Sequence, residues 1–215
     1  MRPFSEYLGD FANGLLVTIE LTASSFLVAA LIAVVLVAFR VSPIRPLRLF
    51  GTAYVHLFQN IPLLVWLVFL VFGLPEIGVK FDLFTTGVLG TGLYSASYYA
   101  ETLRSGVNSV PLGQVEAARA LGMSVAGSFG SIILPQALRS VVQPLGNVTI
   151  GLLMNTALTG AGAGLVDLTE VANRVNLEVT QPVVIFVGVG VMYGLLALGI
   201  STTSGALARK LVIHR

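Results

Sequence analysis

The sequence predicts an all-α membrane protein with about five transmembrane helices, and three observations carry that prediction. The first is composition: of 215 residues, 55% are hydrophobic and only 10% charged. The mean hydropathy is +0.90, whereas a soluble domain carries about a quarter charged residues. The second is the repetition of long apolar runs joined by short polar connections, which leaves no room for a sizeable extramembrane domain. Residues 1–215 therefore read as a single transmembrane domain. The third is the placement of Lys and Arg on these runs, taken up below. Cysteine is absent, which excludes disulfides, thiolate metal sites and thiol catalysis. The net charge of +2 is small and forms no basic stripe, so a nucleic-acid partner is not expected.

The opening segment, residues 1–13, carries Glu6 and Asp10 and lacks the basic start and small-residue cleavage site of a signal peptide. It is expected to remain on the mature protein. The first span runs from about Gly14 to Phe39 and is closed by Arg40, Arg45 and Arg48, with Pro43 and Pro46 between them. A basic, proline-broken loop of this kind reads as cytoplasmic. Glu20, near the opposite end of that span, is expected to reach water at the outer face rather than serve a functional site inside the membrane.

The second span covers about Phe50 to Phe72 and holds Gln59, Asn60 and Pro62 within apolar sequence. Proline frees a backbone carbonyl and bends the helix, and the two amides supply polar groups where the bend opens. His56 has no second ligand at metal spacing and reads as a packing residue. After an outer loop over Gly73–Asp82, the third span runs from about Phe84 to Leu103. Gly87, Gly90 and Gly92 on it are spaced to let other helices approach closely. Polarity then rises through Ser95, Ser97 and Tyr98, whose hydroxyls suit either an aqueous path or bonds between helices. Glu101 and Arg104 share a helix face and are expected to pair.

Next comes a polar island at about residues 104–135. Ser109 and Pro111 suit a helix start. Gly122 suits the left-handed residue after a helix end, and Pro135 a fresh helix start. The fourth span, about Gln136 to Leu158, is the most polar, with Asn147, Asn155 and Thr156 as candidates to line an aqueous path. Leu165, Leu168, Val171, Ala172 and Val175 share one face of a short amphipathic outer helix. A last span from about Val183 to Leu207 ends at Arg209, Lys210, His214 and Arg215. This arrangement puts Arg40, Arg45, Arg48, Arg104, Arg119, Arg139, Arg209, Lys210 and Arg215 on one side and only Arg2, Lys80 and Arg174 on the other. The amino terminus is therefore expected outside and the carboxyl terminus in the cytoplasm.

Within the polar island, Glu116-Ala117-Ala118-Arg119-Ala120-Leu121-Gly122 is followed, after nine residues, by Ile132-Ile133-Leu134-Pro135. This pattern resembles the cytoplasmic coupling loop of ATP-binding cassette (ABC) importer permeases at each fixed position and spacing. The run from Ser95 to Arg104 resembles that family's S-x-x-Y-x-A-E-x-x-R signature, and His56–Val65 resembles the equivalent segment of polar amino-acid permeases. The resemblance is to the small five-helix, type I permeases of bacterial inner membranes.

It implies a subunit that forms half of the translocation path for a polar L-amino acid such as glutamate or glutamine. The implied partners are a second permease subunit, similar or identical, two cytoplasmic ATPases, and an extracytoplasmic solute-binding protein. ATP and magnesium would be bound by the ATPases, with no cofactor or metal in this chain. On this reading Gly113, Gln114, Glu116, Ala117, Ala118, Ala120, Gly122, Leu134 and Pro135 couple to the ATPase. Gln59, Asn60, Ser95, Ser97, Tyr98, Asn147, Asn155 and Thr156 are the substrate-path candidates. Two positions depart from the family pattern: Gln59 stands where Arg is common, and Met154 where Lys is usual. If the partner permease keeps that Lys, the substrate's carboxylate is expected to be held there.

Other classes fit less well. An ion-coupled secondary transporter needs midplane carboxylates or inverted repeats, and only Glu20 lies within a span without a repeat around it. An intramembrane enzyme needs a nucleophile beside a base, and neither His56 nor His214 has a partner of that kind. The ATPase itself is excluded because no phosphate loop with its Lys occurs.

Overall fold

The computed structural model describes the backbone of residues 2–211 and the side chains of residues 4–211. The side chain of Arg2, together with His214 and Arg215, lies outside the described residues. All regular structure among these residues is helical: α1 (Arg2–Glu6), α2 (Leu8–Val41), α3 (Arg45–Asn60), α4 (Leu63–Glu76), α5 (Leu83–Asn108), α6 (Leu112–Ala120), α7 (Val125–Ala163), α8 (Leu168–Val179) and α9 (Pro182–Leu211).

Helix α5 is the hub of the bundle, packed against α2, α3, α4 and α7, while α9 packs on α7 and α8. Its sequence explains the position. Gly90 meets Leu67 of α4, Gly92 meets Val28 of α2, and Gly87 meets Thr159 of α7 and Leu21 of α2, each closely enough that a β-carbon would intrude. Hydroxyl and indole groups join the same helices. Ser25 bonds Thr91 at 2.6 Å, the Tyr54 hydroxyl donates to Leu93 O at 2.8 Å, Trp66 Nε1 donates to Gly90 O at 3.2 Å, and Tyr99 bonds Thr149 at 2.7 Å. In a bilayer, where apolar burial between helices gains little, small residues and bonds worth about 0.6 kcal/mol each are the adhesive.

The expected count of five spans is met in part. Among the described residues three helices, α2, α7 and α9, are long and apolar enough to cross a membrane, and the bent pair α3–α4 supplies a fourth if it is one span. Helix α5 has 26 residues, a length of about 39 Å at 1.5 Å per residue, but its glycines and hydroxyls lower its apolarity. A helix surrounded by other helices does not need an apolar surface.

The second span is not the rod expected from Phe50 to Phe72. Its helix starts at Arg45, stops at Asn60 and resumes at Leu63 after turning through 101°. Pro62 caps the second piece with φ −62° and ψ 130°, because it cannot donate into a continuing helix and holds Ile61 extended.

Proline also explains two widened turns. A π-turn spans Phe69–Gly73 before Leu74-Pro75, and another spans Phe129–Ile133 before Leu134-Pro135. Each gives the proline ring room that a regular helix would deny it at the carbonyl four residues back. Pro135 therefore does not begin a helix, as the sequence led us to expect. Helix α7 begins at Val125, where the Ser124 hydroxyl accepts from Gly127 N–H at 3.1 Å, and runs past Pro135 without stopping.

Side-chain contacts gather the basic segments at one end of the bundle. Arg40, at the end of α2, reaches Glu101 on α5. Gly106 of α5 abuts Val141 and Ala137 of α7, and Gly146 of α7 abuts Ser204 of α9. At the opposite end, α8 lies across the bundle with Leu168, Val171, Ala172 and Val175 buried against Phe11, Ile185, Val189 and Tyr193. This is the amphipathic helix expected from the sequence, and Leu165 is buried with its apolar face.

Candidate functional site

The polar island folds into a short helix held at both ends. Helix α5 ends at Asn108, and only Ser109, Val110 and Pro111 precede α6. Ser109 closes α5 rather than opening α6: its N–H donates to Ser105 O at 2.9 Å and its hydroxyl to Gly106 O at 2.7 Å. Pro111, extended at ψ 135°, occupies the position before α6 and accepts the first turn's bond from Gln114 N–H.

The far end matches the expectation. Gly122 takes φ +76°, its N–H donates to Arg119 O at 3.0 Å, and Met123 N–H donates to Ala118 O at 3.1 Å. That bond pair, with a left-handed glycine, is the Schellman closure, which a side chain at position 122 would strain. Helix α6 leans on the first turns of α7, so its two ends are fused to α5 and α7 through connections of three or four residues.

The residues expected to couple divide between two faces of α6. Gly113, Glu116, Ala117, Ala120 and Gly122 are exposed, Gln114 is half-buried, and Ala118 is buried at 1% exposure. Ala118 therefore faces its own chain and is not part of an outward alanine surface. Leu134 is partly exposed and Pro135 half-buried, both within α7. Sequence reading passed over three large apolar side chains beside the exposed face, Leu112, Leu121 and Val125, which are 77%, 82% and 76% exposed. Their signal was available: apolar residues bounding a polar loop have no reason to be there unless something covers them.

Just above α6 sits a charged cluster. Glu101 pairs with Arg104, as expected, and also with Arg40 of α2 at 2.5 Å. The Arg40 side chain is only 11% exposed, and its stem lies over Gly51 of α3. A cleft of about 330 Å³ opens beside the cluster between α5 and α7, lined by Glu101, Ser105, Ser109 and Ser140 among others.

The substrate-path candidates also separate. Ser95, Ser97 and Thr156 are buried, with Ser97 donating to Tyr94 O and Thr156 to Leu153 O. All three are packed within the bundle of this chain. Tyr98 is half-buried with its hydroxyl 3.1 Å from that of Tyr94. Gln59 is half-buried and Asn60 exposed at the α3–α4 break, where the Asn60 amide donates to His56 O. On α7, Asn147 is exposed and Asn155 half-buried. Asn147 continues an exposed stripe through Gly151 and Met154, at spacings of four and three that keep one helix face. Glu20 lies on the exposed surface of α2.

Sequence reading also missed Asp167. It is fully buried at the start of α8, where Oδ1 accepts from Glu170 N–H at 2.9 Å and Oδ2 from the Tyr193 hydroxyl at 3.2 Å. The Asp-x-x-Glu spacing before an apolar face was its signal. Gly160 of α7 leaves no room beside it for a β-carbon. Burial pushes the Asp167 carboxyl up to about 6, against the pull of its bonds from Glu170 N–H and Tyr193.

A carboxyl raised above its unfolded value of about 3.9 favours the folded state below that pH, and this contribution is lost as pH rises through about 6. The docking of α8 is therefore expected to weaken by about 1 kcal/mol between pH 5 and pH 7.5. Asp167→Asn should remove the dependence. Amide-exchange protection of α8, corrected for intrinsic exchange at each pH, measures this, and an unchanged difference in the variant would refute it.

A family model described as binding-protein-dependent transport system inner membrane component matches residues 25–212. The chain is 35% identical over 208 residues to a probable glutamine ABC transporter permease protein of Bacillus subtilis, covering 97% of this chain and 94% of that protein. It is 37% identical over 210 residues to a glutamate transport system permease protein of Corynebacterium glutamicum, covering 90% and 92%. Among solved structures, an amino acid ABC transporter crystallised with histidines matches with a TM-score of 0.91 at 29% identity, over 96% of each chain. An inward-facing methionine ABC transporter matches in fold, with a TM-score of 0.78 at 21% identity over 97% of this chain and 99% of that one.

Proposed function

Because the chain belongs to the family of binding-protein-dependent transport system inner membrane components, the permease subunits of ABC importers, we propose that its cargo is a polar amino acid of the glutamate or glutamine class. The names of two relatives support that class: one is a probable glutamine permease and the other a glutamate permease. The observation that carries the mechanism is α6, a rigid, exposed helix fused at both ends to α5 and α7.

Helix α6 docks in a groove of a cytoplasmic ATPase subunit. Ala117 and Ala120 allow close approach, Glu116 offers a carboxylate to a basic rim, and Leu112, Leu121 and Val125 provide the apolar contact. Gly113 admits the groove wall, Gln114 and Gly122 fix the two ends of the helix, and Leu134 and Pro135 stiffen α7 just beyond its widened turn. When two ATPases close on ATP and magnesium, α6 moves with them. Its short connections pass that motion to α5 and α7. The Glu101 cluster carries it on to α2 through Arg40. ATP hydrolysis belongs to the partner.

The path runs along the exposed stripe of α7, Asn147, Gly151 and Met154, with Asn155 beside it and Gln59 and Asn60 at the α3–α4 break. One chain presents a face and not an enclosure, so a second permease completes the path. A solute-binding protein delivers the amino acid to the end that carries α8. The amino terminus lies outside and the carboxyl terminus in the cytoplasm. This orientation is supported by the basic residues Arg40, Arg45, Arg48, Arg104, Arg119, Arg139, Arg209 and Lys210, which share the α6 end of the bundle.

Reconstitution tests the reading. Proteoliposomes holding the chain with its second permease, ATPase and binding protein should accumulate labelled glutamine or glutamate only when ATP is supplied on the ATPase side. Protonophores should leave this uptake intact. Uptake that runs without ATP and collapses with the ion gradient would assign the chain to ion-coupled transport instead.

A further inference from the structure

The exposed stripe of α7 does not stop at Asn147. Arg139, Gln143, Asn147 and Gly151 are all exposed and follow one another at intervals of four, which keeps neighbours in the series on one helix face. The stripe of the proposed path therefore continues toward the α6 end of the bundle and finishes on a guanidinium.

Helix α9 brings a second cation to the same place. It runs antiparallel to α7, with Ser204 against Gly146 and Gly205 beside the Gln143 side chain, and in that register Arg209 comes level with Arg139. Arg209 Nη1 and Gln143 Oε1 both lie 3.6 Å from where a β-carbon on Gly205 would sit, so the Arg209 guanidinium stands at the Gln143 step of the stripe. Arg209 is exposed, as is Lys210 after it. Among the described residues, none of Arg139, Arg209 and Lys210 pairs with a carboxylate. The acidic residues at this end are Glu101 and Glu116. Glu101 is held between Arg40 and Arg104, and Glu116 stands exposed on α6. The positive charge at the inner end of the stripe is thus uncompensated within the chain.

A guanidinium is always charged, and its planar fork takes a carboxylate with two parallel bonds. Two of them on neighbouring helices suit a cargo with two carboxylates. Glutamate has two and a net negative charge, whereas glutamine has one and no net charge. Taking the α7 stripe as the path, as proposed above, we propose that Arg139 and Arg209 form a carboxylate-receiving site at its cytoplasmic mouth, which selects an anionic, dicarboxylic amino acid over its amide. Both side chains are exposed, so water and salt screen the contact. It draws the anion to the mouth without holding it, as a release site must. A lipid headgroup is a poorer fit, because this face of α7 carries the polar Gln143 and Asn147.

The test places a thiol at the site with Gln143→Cys, in a chain that has no cysteine of its own. The transporter, with its second permease and ATPase but without binding protein, is held in phosphatidylcholine nanodiscs. Reaction with an anionic and with a cationic methanethiosulfonate reagent is followed by the mass of this chain. Relative to a free thiol, the anionic reagent should gain at least about tenfold over the cationic one, the low end of what a charged cleft adds to an encounter rate. Added salt should shrink the gain. Arg139→Gln with Arg209→Gln should remove it, and Arg139→Lys with Arg209→Lys should keep it. Glutamate should protect the thiol at roughly a tenth of the glutamine concentration. No gain, a gain that survives the two Gln substitutions, or equal protection by the two amino acids would overturn the proposal. So would protection by phosphatidylglycerol but not by glutamate, which would make the pair a headgroup site, or protection by the ATPase alone, which would make it a docking contact. Because labelling needs neither cargo delivery nor ATP, failure here is distinguishable from failure of the uptake experiment.

Discussion

Replacing Ala117 with tryptophan should abolish copurification of the ATPase while leaving the helical bundle folded. Ala117 is exposed on α6, so an indole there meets solvent in the isolated chain and costs the bundle little. In a groove shaped for a methyl group the same indole overfills the contact. Overpacking of a close-packed site costs about 1–3 kcal/mol, and displacing α6 would also forfeit the contacts of Leu121 and Val125. Binding should therefore fall by on the order of a hundredfold. Ala118→Trp offers the contrast: Ala118 is buried against its own chain, so that variant should destabilise the bundle itself. A normal yield of ATPase with Ala117→Trp would remove α6 from the docking surface.

The second large effect is expected at Glu101. Its carboxylate holds Arg40 from α2 and Arg104 from its own helix, and Glu101→Ala leaves two guanidinium groups facing each other. Removing one partner of a buried pair typically costs 3–5 kcal/mol. Glu101 is 36% exposed, so solvent screens part of that cost and about 1–2 kcal/mol is the expectation. The functional loss should be larger than the loss of stability, because the cluster is the charged tie, at the α6 end, between α2 and the helix leading into α6. Uptake should drop at least tenfold while the ATPase still copurifies and hydrolyses ATP. Glu101→Asp should recover part of it. If ATPase binding disappears together with transport, the cluster supports the docking helix rather than passing its motion on.

Some of this protein is legible in its sequence because local chemistry decides it. Gly122 ends α6 as expected, because few other residues accept a positive φ. Gly87, Gly90 and Gly92 mark close approaches, because in a membrane small residues have few other uses. Leu165, Leu168, Val171, Ala172 and Val175 reveal the buried face of α8 by spacing alone.

Other features depend on tertiary partners that periodicity does not contain. Ser95, Ser97 and Thr156 are buried in the bundle, which the sequence does not reveal, since a hydroxyl is equally suited to an aqueous path and to an intrahelical carbonyl. Ser109 and Pro135 depart from the expected helix starts for a related reason. A capping hydroxyl serves the helix before it as readily as the one after, and a proline can sit inside a helix once a π-turn widens the backbone ahead of it. The pairing of Arg40 with Glu101 joins residues 61 apart in sequence, and no local pattern announces it. The α6 motif is legible as a candidate site, but which of its alanines faces outward is decided by packing against the rest of the chain, which buries Ala118 alone of the three.

The most direct test of the mechanism is water access to α7 as the ATPase turns over. The chain has no cysteine, so Asn147→Cys introduces a single reporter on the exposed stripe, and Leu153→Cys, at a buried position, serves as the control. Labelling by a small water-soluble thiol reagent is followed in the assembled transporter with and without ATP. The account predicts that the rate at position 147 changes at least tenfold when ATP binds, while position 153 stays protected in both states. It also predicts that the change disappears when Ala117 is replaced with tryptophan. Equal rates at position 147 in both states would contradict the claim that α6 converts ATP binding into movement of the path.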